Sequence, residues 1–471
     1  PGVPREPNLD AIHAYLTYQY VPSPMTAFRG ICKLPPGCLL VQERGAQPRI
    51  EPYYRFPRPR PAKPRPVEDL CEELVTNLRE ATRLRLISDV PLGAFLSGGV
   101  DSSAIVAMMA QEASDPVRTY TIGFEDEAYD ERKFARMVAE RYATDHHEYI
   151  VRPNAMEVLP NIVYHYGEPF ADSSAIPTYY VSQIARQQVT VALTGDGGDE
   201  SFLGYARYKN ISNLAQISRL PTPIRTWLHP LLHASAQRLG QSALAKAIRV
   251  TIDGLGDMPS RQYEPYISYF SDTAKQGIYG DRLKQYLDES SLDALEPLFA
   301  QAPTPATGAA WADIHTYLPD DLLVKVDVAS MAHSLECRSP FLDHKLMEWA
   351  ADIPEECKMA DGETKSLLKK AMEPFLPREL LYRPKMGFGV PIDRWLKHEM
   401  RGFTYDVLLD GSACSRGLFD QGAVRALLDG HCNGQGNAPR IWALLMLELW
   451  YQMWIDSPEL ARTPVVQPIA A

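Results

Sequence analysis

The sequence predicts an α/β protein: a parallel β-sheet with helices on both faces, followed by a mainly helical C-terminal region. Three observations lead there. Short apolar strands alternate with helical periods between residues 67 and 194, the pattern of parallel sheets whose crossovers are helices. Two loops rich in glycine and acid, at 96–103 and 194–200, follow two of those strands, and such sheets bind ligands at the carboxyl ends of their strands. Beyond about residue 205 the strand signal stops, and helical patterns broken by proline run to about 458.

Taken in order, residues 1–56 combine a helical pattern, Leu9 to Tyr20, with strand-like pieces at Cys38–Val41 and Ile50–Tyr54. That is too little to form a domain alone. Residues 57–66, PRPRPAKPRP, read as a stiff extended connector, with a PxxP ligand as the competing reading. Val67–Leu86 spaces Leu70, Leu74, Leu78, Ala81 and Leu84 at helical period. Strands follow at Pro91–Leu96, Arg118–Phe124, His147–Val151 and Val189–Thr194, with helices at Asp101–Gln111, Glu131–Tyr142 and Ser173–Gln187. Ile441–Ile455 is the most apolar stretch. It is short for a membrane span and carries Glu448 and Gln452, so it reads as a buried helix. Residues 461–471 read as a disordered tail. The chain opens on Pro1 rather than methionine, and a missing upstream segment is expected.

The 471 residues suggest about two to three domains. Apolar content of 45% and charged content of 23% are those of an ordinary globular chain. A net charge of −11 argues against a broad nucleic-acid-binding face, which needs clustered positive charge. Seven scattered cysteines without a CxxC pair argue against a zinc ribbon or a dithiol redox site. They suit free thiols in a reducing cytoplasm. No signal peptide or membrane span is visible.

The first loop runs Leu96-Ser97-Gly98-Gly99-Val100-Asp101-Ser102-Ser103 and opens a helix. Gly98 and Gly99 let backbone approach a phosphate closely, and the helix N-terminus offers free amides and a positive dipole end. Ser97, Ser102 and Ser103 add hydroxyls. No Gly-Lys-Ser/Thr follows, so this is not a Walker A loop. Asp101 beside phosphates makes sense with a Mg²⁺ between them. A plain glycine turn with a serine cap is the competing reading. The second loop, Thr194-Gly195-Asp196-Gly197-Gly198-Asp199-Glu200, concentrates three acids, which repel unless a metal, a cation or a proton intervenes. Asp199 suits a second Mg²⁺ ligand, and Asp196 suits orienting a nucleophile or moving a proton. A solvated turn is the alternative.

SGGVDSS (97–103), TYTIGF (119–124), TGDGGDE (194–200), LECRSPFLDH (335–344) and RPKMGF (383–388), in that order, resemble the glutamine-dependent asparagine synthetases. EPFADSSAIPTYYVS (168–182) is similar to bacterial members. The resemblance covers about residues 8 to 455. It implies an ATP-pyrophosphatase fold over 67–460, after the connector, with residues 1–56 as the end of an Ntn glutaminase domain whose catalytic N-terminal cysteine has no counterpart here. It further implies that Ser97, Gly98, Gly99, Ser102 and Ser103 hold pyrophosphate. Leu96, Ile122 and Gly195 would lie at the nucleotide, and Asp101 and Asp199 would hold Mg²⁺. Asp196 would act at the acyl-adenylate step, and Lys385 would steady the transferring phosphoryl group. Lys365 is a further candidate for pyrophosphate, against a basic helix face shared with Lys369 and Lys370.

The implied reaction is adenylation of a carboxylate by ATP, then amination by ammonia. The expected acid is L-aspartate, the expected site of action the cytoplasm, and a homodimer is allowed. Val328 stands where relatives carry arginine, and the usual DELFGGY reads Asp199-Glu200-Ser201-Phe202-Leu203-Gly204-Tyr205. These departures bear on the substrate more than on the ATP chemistry. Glu336 and Arg338 are expected to pair as a structural support. Other carboxylates, such as a sugar uronate or a secondary metabolite, are competing substrates. Thiolation and an inactive scaffold are competing functions.

Overall fold

The structure is a computed structural model that describes residues 4–60, 65–124, 130–151, 155–218, 258–385, 387 and 389–457. The expected tail at 461–471, four residues of the connector, and Met386 and Phe388 of RPKMGF lie outside the described residues.

The N-terminal segment forms α1 (Leu9–Tyr18) and a two-stranded antiparallel sheet, β1 (Cys38–Val41) with β2 (Arg49–Pro52). After the connector, α2 (Val67–Arg85) buries Leu70, Leu74, Leu78 and Ala81 along one stripe. Glu68 and Asp69 in its first turn and Arg83 and Arg85 in its last suit the helix dipole. Then come β3 (Leu92–Phe95), α3 (Val100–Glu112), β4 (Arg118–Gly123), α4 (Arg132–Tyr142) and β5 (Asp145–Ile150). They are followed by α5 (Ala155–Tyr166), α6 (Ala175–Ala185), β6 (Val191–Leu193), α7 (Gly198–Ser201) and α8 (Ala206–Ser218). A last strand, β7 (Glu336–Arg338), comes from far along the chain.

Five strands make one parallel sheet in the order β5-β4-β3-β6-β7. From β3 the chain steps outward through β4 to β5, then returns to the other side of β3 as β6. The order therefore reverses between β3 and β6, and the crevice at such a reversal is where open α/β sheets bind ligands. The loops after β3 and β6 are the two glycine-acid loops.

Alternation along the strands divides the core. Val191 and Leu193 join the layer built from α2, α3, α4 and Leu367–Leu368, whereas Ala192 joins the opposite layer with α1, α5 and the helix Ala438–Trp450. The expected buried helix at the C-terminal end is present, with Trp442, Leu445 and Trp450 at most 2% exposed. It is knitted to the N-terminal segment, since Tyr15 Oη donates to the Ala443 carbonyl at 2.8 Å. No helix among the described residues is long and apolar enough to cross a membrane.

Two elements differ from the sequence expectation. Strand signal does not end near 205: Glu336-Cys337-Arg338 pairs with β6. Its three residues carry no apolar run, and the ladder to Val191–Leu193 makes the strand. Residues 155–166, with no expected element, form α5 despite Pro160 inside it. Burial of Val158, Leu159, Ile162 and Val163 outweighs the lost backbone bond.

Candidate active site

The loop after β3 is fixed by its own hydroxyls before any ligand arrives. Gly98 has φ of +70°, and a Cβ there would lie 2.6 Å from the Ala135 nitrogen, so only glycine allows the turn to pass α4. Ser97 Oγ accepts from the Gly99 amide at 3.2 Å, and Ser102 Oγ accepts from the Ser97 amide at 3.2 Å. The Leu96 carbonyl takes the Thr121 hydroxyl, locking the loop to β4. Asp101 stands in the first turn of α3.

The loop after β6 comes against it. A Cβ on Gly195 would sit 2.8 Å from Asp101 Cβ, so glycine sets the spacing of the two loops. Gly197 turns with φ of +87° into α7, whose first turn carries Asp199.

Between the two carboxylates lies Lys365. Its Nζ pairs with Asp101 Oδ2 and, at 2.7 Å, with Asp199 Oδ1. Lys385 Nζ is 2.6 Å from Asp199 Oδ2. The order Asp101–Lys365–Asp199–Lys385 is an alternating chain of charge. Lys365 adopts a left-handed φ of 55° at the cap of the helix Ser366–Met372. That conformation costs a non-glycine residue roughly 1–3 kcal/mol, and such strain clusters at functional sites. The shared-basic-face reading of Lys365 does not describe the geometry: Lys369 pairs with Glu363, Lys370 with Glu68, and Lys365 alone bridges the two loops.

These groups line a cavity of about 710 Å³. Of the residues singled out in the sequence, Leu96, Ser97, Gly99, Asp101, Ser102, Ile122, Gly195, Asp196, Asp199, Lys365 and Lys385 all line it. Gly98 shapes the turn beneath. Ser103 is fully buried inside the helix packing rather than at the cavity wall. Glu336 and Arg338 pair at 2.6 Å as expected, and neither lines the cavity.

Burial and charge set the proton affinities. Burial raises the Asp101 carboxyl, opposed by Lys365 and reinforced by Asp199. Burial acts likewise on Asp199, but Lys365 and Lys385 outweigh it and hold that carboxyl below the ordinary range. Lys365 is held upward: burial lowers it, and the two carboxylates more than compensate. Burial lowers Lys385. It raises Asp196, against the opposing field of Lys325.

The oxygens fit a hard divalent cation. Two carboxylates face one point beside a phosphate-type loop, one ammonium already contacts both, and Asp101 Oδ1 is buried with no hydrogen-bond partner among the described residues.

Sequence reasoning missed three features. Arg383 donates to the Gly98 carbonyl at 3.0 Å and pairs with Glu131 at 2.5 Å, bracing the first loop from outside. On the cavity wall Lys325 lies 3.2 Å from Asp172, and beside them buried Asp321 accepts from Gln19 at 2.7 Å. Burial raises Asp321, and nearby Asp172 raises it further. Lys325 lies three residues before Val328 and Asp172 lies in EPFADSSAIPTYYVS, so the letters were in view without their convergence. The third is Glu200, which takes the Tyr205 hydroxyl at 2.7 Å and is pushed up to about 7 by burial and by Asp199.

Two outcomes follow from this geometry. A methyl at Gly204 would collide with Asp199 Oδ1 and Lys365 Cε. Gly204→Ala is therefore expected to lower turnover at least about tenfold with a small change in melting temperature, since the ion pairs must shift while the core does not. For Glu200 the folded pKa of about 7 exceeds the ordinary 4.5. Between those values the native state binds the extra proton, so this group's contribution to stability falls as pH rises through the window. Glu200→Gln should remove that slope. Urea midpoints at about pH 5 and about pH 8 should show the variant gaining on the parent at the higher pH.

Comparison with known proteins agrees with the geometry. Residues 73–452 match the asparagine synthase family. The chain is 32% identical over 470 residues to asparagine synthetase [glutamine-hydrolyzing] 1 of Bacillus subtilis, covering 96% of this chain and 70% of that protein. It is 31% identical over 463 residues to a putative asparagine synthetase of Mycobacterium tuberculosis, covering 97% and 69%. More distantly, it is 25% identical over 454 residues to amidase chry2 of Gibberella zeae, covering 87% and 66%. With its loops, their order on the sheet and these relatives in agreement, the chain belongs to the asparagine synthase family.

Proposed function

We propose that the protein adenylates the side-chain carboxylate of L-aspartate with ATP and aminates it with ammonia, forming asparagine, AMP and pyrophosphate. The observation that carries this reading is the Asp101–Lys365–Asp199–Lys385 chain, which joins two carboxyl-end loops and the RPK segment at one crevice. A carboxylate is a poor electrophile. Attack of its oxygen on the α-phosphorus, with cleavage of the bond to the bridging oxygen, releases pyrophosphate and leaves an acyl-AMP. Ammonia then attacks the acyl carbon, AMP leaves, and one proton is lost.

The amides and hydroxyls of Ser97–Ser102 suit the departing pyrophosphate. Lys365 and Lys385 offset its growing negative charge in a setting with little water. Asp101 and Asp199 would hold Mg²⁺, which supplies Lewis-acid neutralisation of phosphate oxygens when bound. Asp196, raised by burial, is suited to accept the proton lost by the incoming amine. The seven free cysteines suit a cytoplasmic setting.

The N-terminal segment fits the end of a glutaminase domain. β1 and β2 expose Leu40 and Ile50, paired across the sheet at 52% and 54%, on one face and Leu39, at 40%, on the other, apolar surface suited to further domain contact. In a form carrying that domain, glutamine would supply the ammonia.

A second reading keeps the chemistry and changes the acid, and the likeness to amidase chry2 supports it. Aspartate labelled with ¹⁸O in its side-chain carboxylate tests both. Attack at the α-phosphorus transfers one label to AMP. Label-free AMP made in the presence of aspartate contradicts the proposal.

A further inference from the structure

Behind the wall of the crevice stands a residue of the N-terminal segment. Gln19 closes α1 with a left-handed backbone, φ of 70°, and is 6% exposed. A side chain in that conformation persists only where its surroundings impose it. Two bonds impose it here. The Gln19 carbonyl accepts from the Ala171 amide at 2.8 Å, directly before Asp172. Its side-chain Nε2 donates to Asp321 Oδ2 at 2.7 Å. Asp321 Oδ1 and Gln19 Oε1 have no partner among the described residues, so this carboxyl depends on the Gln19 amide.

Asp321 sits in the turn Leu318–Leu322, wound as a π-helix, a form that recurs at functional sites. The N-terminal segment holds this turn a second time, since Asp320 Oδ2 accepts from the Ser23 amide at 2.8 Å. The turn runs into the helix Leu323–Met331, which carries Lys325. Three carboxyl groups act on the Lys325 ammonium: Asp172, 3.2 Å away, Asp321 and Asp196. Asp172 is fixed in turn by the amide and hydroxyl of Ser174, at 2.9 and 2.7 Å.

Asp172, Lys325 and Asp196 line the crevice, whereas Gln19 and Asp321 do not. Gln19 can therefore reach the chemistry only through the cluster. The Lys325 charge favours the ionised form of Asp196, the form able to take a proton. We propose, resting on the reaction proposed above, that Gln19 is a positioning residue for its amination step: it holds Asp321 and the backbone before Asp172, and through them keeps the Lys325 ammonium in place on the wall it shares with Asp196. A loosened Lys325 slows the capture of ammonia, not the formation of the acyl-AMP. Water then attacks the same acyl carbon, AMP leaves, aspartate is regained, and pyrophosphate has been released without asparagine.

Two readouts on the whole chain test it. The first is the ratio of asparagine to pyrophosphate formed from ATP, Mg²⁺, L-aspartate and ammonium. Misfolding lowers both products together and leaves the ratio alone. Gln19→Met, which keeps the length and removes the donor, should lower the ratio at least about threefold, because a misplaced catalytic group loses much of its effect. Gln19→Asn suits the left-handed backbone and withdraws the amide by one methylene, so it should fold as well as the parent and lower the ratio in the same direction. The second readout needs no turnover: labelling of lysines with acetic anhydride, mapped by mass spectrometry. Relative to exposed Lys345, buried Lys325 should gain label at least about threefold in either variant as its place on the wall opens locally. An unchanged ratio in both variants, or Lys325 protected as in the parent, overturns the proposal. A parent that releases pyrophosphate without asparagine contradicts the proposed reaction, and the labelling then decides alone whether Gln19 holds Lys325.

Discussion

Lys385→Ala is expected to lower the formation of AMP and pyrophosphate by about 10²–10³-fold, the usual consequence of removing one charged stabiliser of a developing oxyanion. Lys385 ends the ion chain, half-exposed at the cavity, 2.6 Å from Asp199 and with its Nζ 4.2 Å from the centre of the Tyr205 ring. It contributes little to the core, so the melting temperature should hardly move. Because its charge matters most as pyrophosphate departs, kcat should fall more than KM rises. Full pyrophosphate release by the alanine variant would remove Lys385 from the chemistry.

Lys365→Met is expected to act on stability as well as activity. Lys365 has a side chain 6% exposed and pairs with both Asp101 and Asp199. Without it buried Asp101 loses its ion pair and Asp199 keeps only Lys385, which costs about 3–5 kcal/mol. Both carboxyl groups should then rise in proton affinity, so the variant should recover stability as pH falls through the carboxylate range. A divalent cation can take the place of the lost ammonium. Millimolar Mg²⁺ should raise the variant's melting temperature more than that of the parent, a readout independent of turnover. Equal melting of the two proteins without metal contradicts the bridging role.

The α/β order was legible because its signals are local. Helical spacing in α2 and the apolar runs of β3, β4 and β6 need no partner to be recognised. β7 was not, since Glu-Cys-Arg becomes a strand only by pairing with β6. α5 was hidden by Pro160. The same division holds at the site. Both glycine-acid loops announced themselves, and their meeting is visible at Gly195, where a side chain would strike Asp101. Lys365 was ambiguous among three neighbouring basic residues until its left-handed backbone turned it between the two carboxylates. The Asp172–Lys325–Asp321 cluster draws on segments about 150 residues apart. Ser103 fitted the loop pattern by its letter, but its place on α3 puts it in the packed interior.

The most direct test of the central claim is pyrophosphate release from ATP with Mg²⁺ and ammonium, with and without L-aspartate, reading AMP and asparagine together. The proposed reaction predicts release stimulated by aspartate, with AMP and asparagine formed in equal amounts. Release that is indifferent to aspartate, or ADP and phosphate in place of AMP and pyrophosphate, would contradict it.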